Sequence, residues 1–242
     1  MTSLLSVVTP GPNETRLTGN AAALVCFITD TGSLPWVAIP IVAFLLLSLI
    51  DRSISWSLRK RQVVRLFLVL ALALPAFGLM NEYLVKQAVQ APRPSHRALA
   101  DAGYIADLET FYAMNRTGRR ARLAPLVERA APQDAAQRLQ IAPRVLTHWV
   151  HEVSSSFPSG HAWNAFLAAA LFVMMGASHA SRARGVLGTT FLGWALAVSW
   201  SRILLGVHGP VDVVVGAALG IITGLLVGWS VLLLVQKGTP PR

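Results

Sequence analysis

The chain has 242 residues, of which 54% are hydrophobic and 13% charged, and basic residues outnumber acidic ones by 21 to 11 for a formal net charge of +10. A soluble domain carries about 25% charged residues, so this balance excludes an ordinary soluble globule and points to a polytopic membrane protein with anionic partners, phosphate groups or lipid headgroups. Nucleic acid is disfavoured, because the basic residues are divided among membrane-flanking loops and no nucleic-acid motif is present; the lone cysteine, Cys26, excludes an intramolecular disulfide and a cysteine-based metal site.

In chain order, no basic region precedes the first hydrophobic run, so a cleavable signal peptide is not expected. Ala21–Ile28 is apolar but too short to span, and reads as an interfacial element or the start of a first span. Leu34–Ile50 is the first clear span and ends at Asp51-Arg52. Val63–Val85 follows Arg59-Lys60-Arg61; its interior Pro75 and Gly78 are tolerated in transmembrane helices. A long loop, 86–160, then carries two amphipathic stretches, Tyr104–Met114 and Arg119–Arg129, and a third segment, Pro143–His151. Residues 95–156 of it read as a small helical extramembrane cap or as a lid that grips a headgroup. His161–Ala180, Gly185–Leu205 and Val211–Val235 complete five spans. The fold class expected is therefore all-α: a transmembrane bundle of five or six spans with a helical cap, forming one domain over 1–242. Arg52, Arg59, Lys60 and Arg61, then Arg182 and Arg184, then Lys237 and Arg242 all fall on one side, which the positive-inside rule makes cytoplasmic. The loop 86–160 and the turn 206–210 then lie outside.

Against this apolar background the polar residues at membrane depth need a reason. His208 and Asp212 are four apart, one turn apart on a helix, so the carboxylate can fix the imidazole tautomer and leave the other ring nitrogen nucleophilic. The alternative is a structural His–Asp pair. Phe157-Pro158-Ser159-Gly160-His161 supplies a capping serine and a glycine that permits close backbone approach. Free N–H groups at a helix start form an anion site, and His161 would face the same anion and protonate a leaving oxygen. The alternative is an ordinary helix cap with a solvent-facing histidine. Lys86, Arg93 (before Pro94) and Arg202 are clamps for phosphoryl oxygens, Arg by its fork and Lys as a point charge. Basic residues flanking a span are common, but Arg202 sits at the outer end of one, where few are expected.

Lys86-x6-Arg93-Pro94, Pro158-Ser159-Gly160-His161 and Ser201-Arg202-x5-His208-x3-Asp212 resemble, in order and spacing, the three-part signature of the type 2 phosphatidic acid phosphatase superfamily. Phe111-Tyr112 before a basic helix, Thr147-His148-Trp149 and Leu204-Leu205-Gly206-x-His208 make the chain most similar to its bacterial phosphatidylglycerophosphatase branch, inner-membrane enzymes that also act on undecaprenyl pyrophosphate. The likeness covers roughly residues 22 to 235. It implies that His208 forms a phosphohistidine, Asp212 orients it and His161 protonates the leaving group. Lys86, Arg93, Ser159, Gly160 and Arg202 would hold the phosphate, with no metal or other cofactor. Such relatives usually have six spans, and this chain lacks a clear first one before residue 21.

The function expected is hydrolysis of a lipid phosphate monoester or pyrophosphate at the outer face of an inner membrane. The candidate substrates are phosphatidylglycerol phosphate, undecaprenyl pyrophosphate, phosphatidic acid and diacylglycerol pyrophosphate. The lipid tail enters between spans, and no obligate protein partner is implied. The competing readings are a lipid A phosphatase, a lipid phosphotransferase, and a non-catalytic lipid-phosphate transporter; a soluble haloperoxidase relative fits less well. His96, His148, His151 and His179 show no partner pattern in the sequence, His179 reading as interfacial; Glu152 reads as a neighbour of the site that nothing in the spacing requires, and Trp149, Trp163 and Trp200 read as interfacial anchors or core.

Overall fold

The computed structural model describes residues 17, 19–39, 41–42, 55–128, 132–177 and 182–236. These form helices joined by turns, with no strand among them. Helix α1 (Gly19–Thr31) ends at the Gly32-Ser33 turn, after which a second helical stretch begins at 34. Most of the span expected over Leu34–Ile50 lies outside the described residues, as do His179, Arg52, Lys237 and Arg242 and the side chains of Arg182 and Arg184.

Helix α2 (Trp56–Met80) runs into a π-helical turn, Asn81–Val85, and on into α3 (Lys86–Val89). Val63–Val89, with mean hydropathy 2.3, is one of two helices among the described residues long and apolar enough to cross a membrane; Pro210–Ser230, at 2.2, is the other. Leu68, Leu72 and Leu79 stand exposed along α2, Leu72 at 74%. Such an apolar outer face suits lipid rather than water. The expected His161–Ala180 appears as α10 (Gly160–Ala177), whose apolar stretch is shorter. Gly185–Leu205 appears as α11 (Arg182–Leu204) and Val211–Val235 lies within α12 (Pro210–Gln236).

The cap contains α4 (Pro94–Asp101), α5 (Leu108–Ala113), α6 (Arg116–Leu123), α7 (Pro125–Glu128), α8 (Pro132–Leu139) and α9 (Pro143–His151). The first amphipathic stretch begins later than its composition suggests. The Asp107 carboxylate accepts from Thr110 N–H at 2.6 Å and starts α5 there. Asn115 accepts from Gly118 N–H at 2.8 Å and starts α6. Both are N-caps, so the periodic run from 104 to 129 is cut into short helices. Leu99, Phe111, Leu123, Leu146 and Trp149 form the cap's core, and Leu205 and Val207 of the α11–α12 turn complete it. Trp149 Nε1 donates to Leu205 O at 2.6 Å. The cap is therefore packed onto the turn that carries His208.

Helices α10 and α12 lie side by side with both N-termini at the cap end. Their contact is a glycine ladder. A Cβ on Gly216, Gly220 or Gly224 would fall 2.5 Å from Ser159 O, 2.4 Å from Trp163 O and 2.7 Å from Leu167 O. Small residues every four positions let two backbones approach this closely. The start of α10 is also tied to α12 by Ser159 N–H donating to Asp212 O at 2.9 Å. This pairing brings the Ser-Gly-His segment beside His208 and Asp212.

Candidate active site

Arg93, Arg202 and Lys86 converge beside His208. Arg93 precedes Pro94 at the start of α4 and is 1% exposed; Arg202, in the last turn of α11, is fully buried. The Arg93 guanidinium donates to Ser154 O at 2.7 Å, Ser154 Oγ at 3.0 Å and Val207 O at 3.0 Å. Its NH1 also meets His208 Nε2 at 3.2 Å. Glu152 bridges the two arginines: Oε2 lies 2.9 Å from Arg93 NH2 and Oε1 2.6 Å from Arg202 NH2. Arg202 NH1 reaches His148 Nε2 at 3.2 Å and Thr29 Oγ1 at 3.4 Å, and that threonine bonds Ser201 Oγ at 2.7 Å. Lys86 Nζ donates to Glu82 and to Ser154 Oγ, both at 3.1 Å. Ser154 Oγ thus joins Lys86 to Arg93.

An arginine only donates, so His208 Nε2 accepts the hydrogen bond from Arg93 and the ring proton rests on Nδ1, the side of Asp212. Asp212 Oδ2 stands 3.7 Å from Nδ1, beyond hydrogen-bond reach. That oxygen is engaged by Ser156 Oγ–H and by Gly209 N–H, the latter at 2.8 Å. His208 Nδ1 and Arg202 Nε are buried without a hydrogen-bond partner among the described residues. Burial, with Arg93 and Arg202 adding to it, holds the His208 imidazole well below the usual histidine range, so it is uncharged at neutral pH. Burial works against ionisation of Glu152, yet Arg202 and Arg93 hold its carboxyl well below the usual carboxylate range. His148 is pushed down to about 4 by burial and by Arg202, which leaves its Nε2 able to accept.

The side chains at the start of α10 complete the arrangement. Ser159 is fully buried and its Oγ accepts from Ala162 N–H at 3.4 Å, a loose cap. Gly160 approaches Asn81, whose Nδ2 would lie 3.3 Å from a Cβ there. His161 packs near Gly32 at the end of α1. Lys86, Arg93, Gly160, His161 and His208 all line one cavity of about 310 Å³, whereas Asp212, Ser159 and Arg202 do not line it. The cations Lys86 and Arg93 and a neutral imidazole around one space suit an anion that a nitrogen lone pair can attack.

Several residues that sequence reasoning left without a role belong here. Glu152 and His148 hold Arg202, Ser154 holds Arg93 and Lys86, and Ser156 holds Asp212. His96, fully buried, bonds Tyr112 Oη through Nδ1 at 2.7 Å, and that hydroxyl accepts from the Arg93 backbone N–H at 3.0 Å. His151 lines the cavity and bonds Thr147 O at 2.7 Å. Trp149 and Trp163 are buried, as expected of core, while Trp200 is 62% exposed on α11.

The model of the PAP2 superfamily matches residues 62–235, which contain every one of these candidate site residues. Over 217 residues the chain is 29% identical to phosphatidylglycerophosphatase B of Escherichia coli (strain K12), covering 89% of this chain and 78% of that protein. A shorter stretch of 80 residues is 39% identical to the bacitracin transport permease protein BcrC of Bacillus licheniformis, covering 33% of this chain and 36% of that one. Among solved structures, the fold is similar to the first transmembrane PAP2 type phosphatidylglycerolphosphate phosphatase from Bacillus subtilis. That likeness has a TM-score of 0.51 at 20% identity, over 93% of this chain and 81% of that one, and bears on the fold alone.

Proposed function

This chain belongs to the PAP2 superfamily, and from that premise we propose that it is a multi-pass membrane phosphatase hydrolysing the phosphate monoester or pyrophosphate of a lipid. The observation that carries the reading is the Arg93 guanidinium on His208 Nε2, joined to Lys86 through Ser154 and to Arg202 through Glu152, beside a cavity that Lys86, Arg93 and His208 line. In this reading His208 Nε2 leaves Arg93 and attacks phosphorus. The N–P bond forms as the bond to the leaving oxygen breaks, and His161, which takes up a proton from solvent when the phosphate anion binds beside it, passes that proton to the leaving oxygen. The guanidiniums hold the equatorial oxygens, and water then hydrolyses the phosphohistidine. Asp212, 3.7 Å from Nδ1, closes on that nitrogen as positive charge develops on the ring. Ser159 and Gly160 offer the α10 start to the phosphate, and no metal takes part.

The similarity to phosphatidylglycerophosphatase B favours phosphatidylglycerol phosphate within the substrate class, with undecaprenyl pyrophosphate and phosphatidic acid beside it. The cavity wall also includes Leu34, Leu74 and Gly78, an apolar end suited to a lipid tail entering between helices. The site would face the periplasm or outside of an inner membrane, opposite the cationic loops.

The test is phosphate release by the purified protein across these lipids, with His208→Ala as blank and a chelator present. Release that His208→Ala abolishes and the chelator spares is expected. Release that persists in His208→Ala, or a strict need for divalent metal, would overturn the mechanism. Turnover of short-chain soluble esters as fast as lipids would overturn the tail route.

A further inference from the structure

Chemistry at one phosphate accounts for Arg93, Arg202 and Lys86, but the same cavity is lined by two further arginines, Arg116 and Arg120. Both come from α6 of the cap. They are four residues apart, one turn along one face of the helix. The helix carries two more arginines that do other things: Arg119 stacks on Tyr112 at 5.2 Å, and Arg122 is exposed and off the cavity wall. Arg116 pairs with Glu82, the carboxylate that also holds Lys86 at 3.1 Å. Arg120 makes no ion pair among the described residues. Around this part of the wall Arg116 and Lys86 therefore share one carboxylate, and Arg120 adds a third cation to it.

The order of groups along the membrane helix gives these charges a meaning. Leu74, Gly78, Glu82 and Lys86 all line the cavity and succeed one another by four residues, through the π-helical turn. From the apolar end the wall reads Leu74 and Gly78, then Glu82 with Arg116, then Lys86. Ser154 then links Lys86 to Arg93 and so to His208. A ligand lying along it with its tail at Leu74 and its scissile phosphate at His208 places the intervening part of its headgroup against Arg116 and Arg120. A cavity of about 310 Å³ has room for more than the scissile group alone.

We infer that Arg116 and Arg120, with Lys86 shared, form a second phosphoryl subsite that reads a further phosphate on the leaving-group side of the scissile bond. Glu82 fixes Arg116 and Lys86 against the wall, and the Arg120 fork is left for the ligand. The shared chemistry is a headgroup with two phosphoryl groups. Its source is either a lipid diphosphate or a phosphomonoester whose neighbour is a phosphodiester. This specificity rests on the phosphatase reading above.

The test compares kcat/KM of the purified full chain on three short-chain lipids: dioctanoyl phosphatidylglycerol phosphate, a prenyl diphosphate, and dioctanoyl phosphatidic acid. Arg120→Gln, which breaks no ion pair, and the Arg116→Gln/Arg120→Gln double variant are expected to lower the ratio of two-phosphate to one-phosphate kcat/KM. The double variant should lower it at least about tenfold, the loss of one charge-assisted contact or more. Arg122→Gln should leave the ratio where it is. A fall confined to the diphosphate or to phosphatidylglycerol phosphate assigns the subsite to that source. A uniform loss on all three lipids, or an unchanged ratio, overturns the subsite while the phosphatase reading stands. Absence of release by the wild-type chain from every lipid overturns both.

Discussion

Replacing Gly220 by alanine tests whether the close approach of α10 and α12 is what assembles the site. The new Cβ would lie 2.4 Å from Trp163 O, 2.9 Å from Phe166 Cβ and 3.0 Å from Leu167 N. Two of these are backbone atoms within a helix, which cannot swing aside. Ordinary contact begins at 3.4 Å, so the helices must part by the difference, 3.4 − 2.4 = 1.0 Å. Overpacking of this kind costs about 1–3 kcal/mol. The larger effect is on geometry: α10 carries Gly160 and His161, α12 carries Asp212, and a misplacement of about 1 Å can lower turnover about 100-fold. The assay is kcat on a lipid phosphate together with the thermal midpoint in detergent. Gly193→Ala is the control, because a Cβ there meets nothing within 4 Å. Gly220→Ala should lose about 100-fold in kcat and melt earlier, whereas Gly193→Ala should match the wild type in both. A Gly220→Ala protein that melts earlier but turns over normally would refute the claim that helix spacing sets the catalytic geometry; one unchanged in both would refute the ladder itself.

Two further substitutions probe the cap. His96 is fully buried and burial, with Arg93 and Arg119 adding to it, pushes it down to about 3. The unfolded chain takes up this proton near pH 6.5 and the folded chain refuses it, so stability is full above that pH and is lost as pH falls toward 3. Between pH 6.5 and 5 the loss is about 2 kcal/mol, at about 1.4 kcal/mol per unit. The thermal midpoint of the wild type should therefore drop more between pH 7 and 5 than that of His96→Gln, and equal drops would show that His96 is not the group responsible. Glu152→Ala leaves the Arg93 and Arg202 guanidiniums, 1% and 0% exposed, without the carboxylate that bridges them. Breaking such a buried pair costs about 3–5 kcal/mol. The variant should melt earlier and lose at least about tenfold in kcat/KM, with Glu152→Gln between it and the wild type; wild-type melting in Glu152→Ala would dismiss the bridge.

What the sequence disclosed and what it hid follow from separation along the chain. Lys86 with Arg93, Ser159 with His161, and Arg202 with His208 and Asp212 are local sets at helical or turn spacing, so their chemistry could be read from one sequence. Glu152 meets Arg202 across 50 residues, Ser156 meets Asp212 across 56 and Ser154 meets Arg93 across 61. No local pattern reports such pairings, and serine-rich loops have no periodicity to expose them. The direct bond expected between His208 and Asp212 on one helix is not made: His208 lies in the turn before α12, the two groups stand 3.7 Å apart, and Asp212 is engaged by Ser156 Oγ–H and Gly209 N–H, donors that spacing alone does not reveal. The π-helical turn at Asn81–Val85 was likewise hidden, since its apolar pattern continues that of the helix before it.

The two sequence readings of the 95–156 segment, a passive cap or a lid, can be weighed by what its residues hold. Tyr112 holds the Arg93 backbone, and Ser154 its side chain. Glu152 and His148 hold Arg202, and Trp149 is bonded to the turn before His208. Lifting the segment as a lid would break all of these together and part the two like-charged guanidiniums from Glu152, at a cost of several kcal/mol for that bridge alone. The segment is thus a fixed part of the proposed phosphate cradle. The guanidiniums are oriented before a ligand arrives, the condition under which charged groups stabilise a transition state most effectively. A cradle closed from above directs the expected entry of a lipid to the other end of the cavity, where Leu34, Leu74 and Gly78 line it.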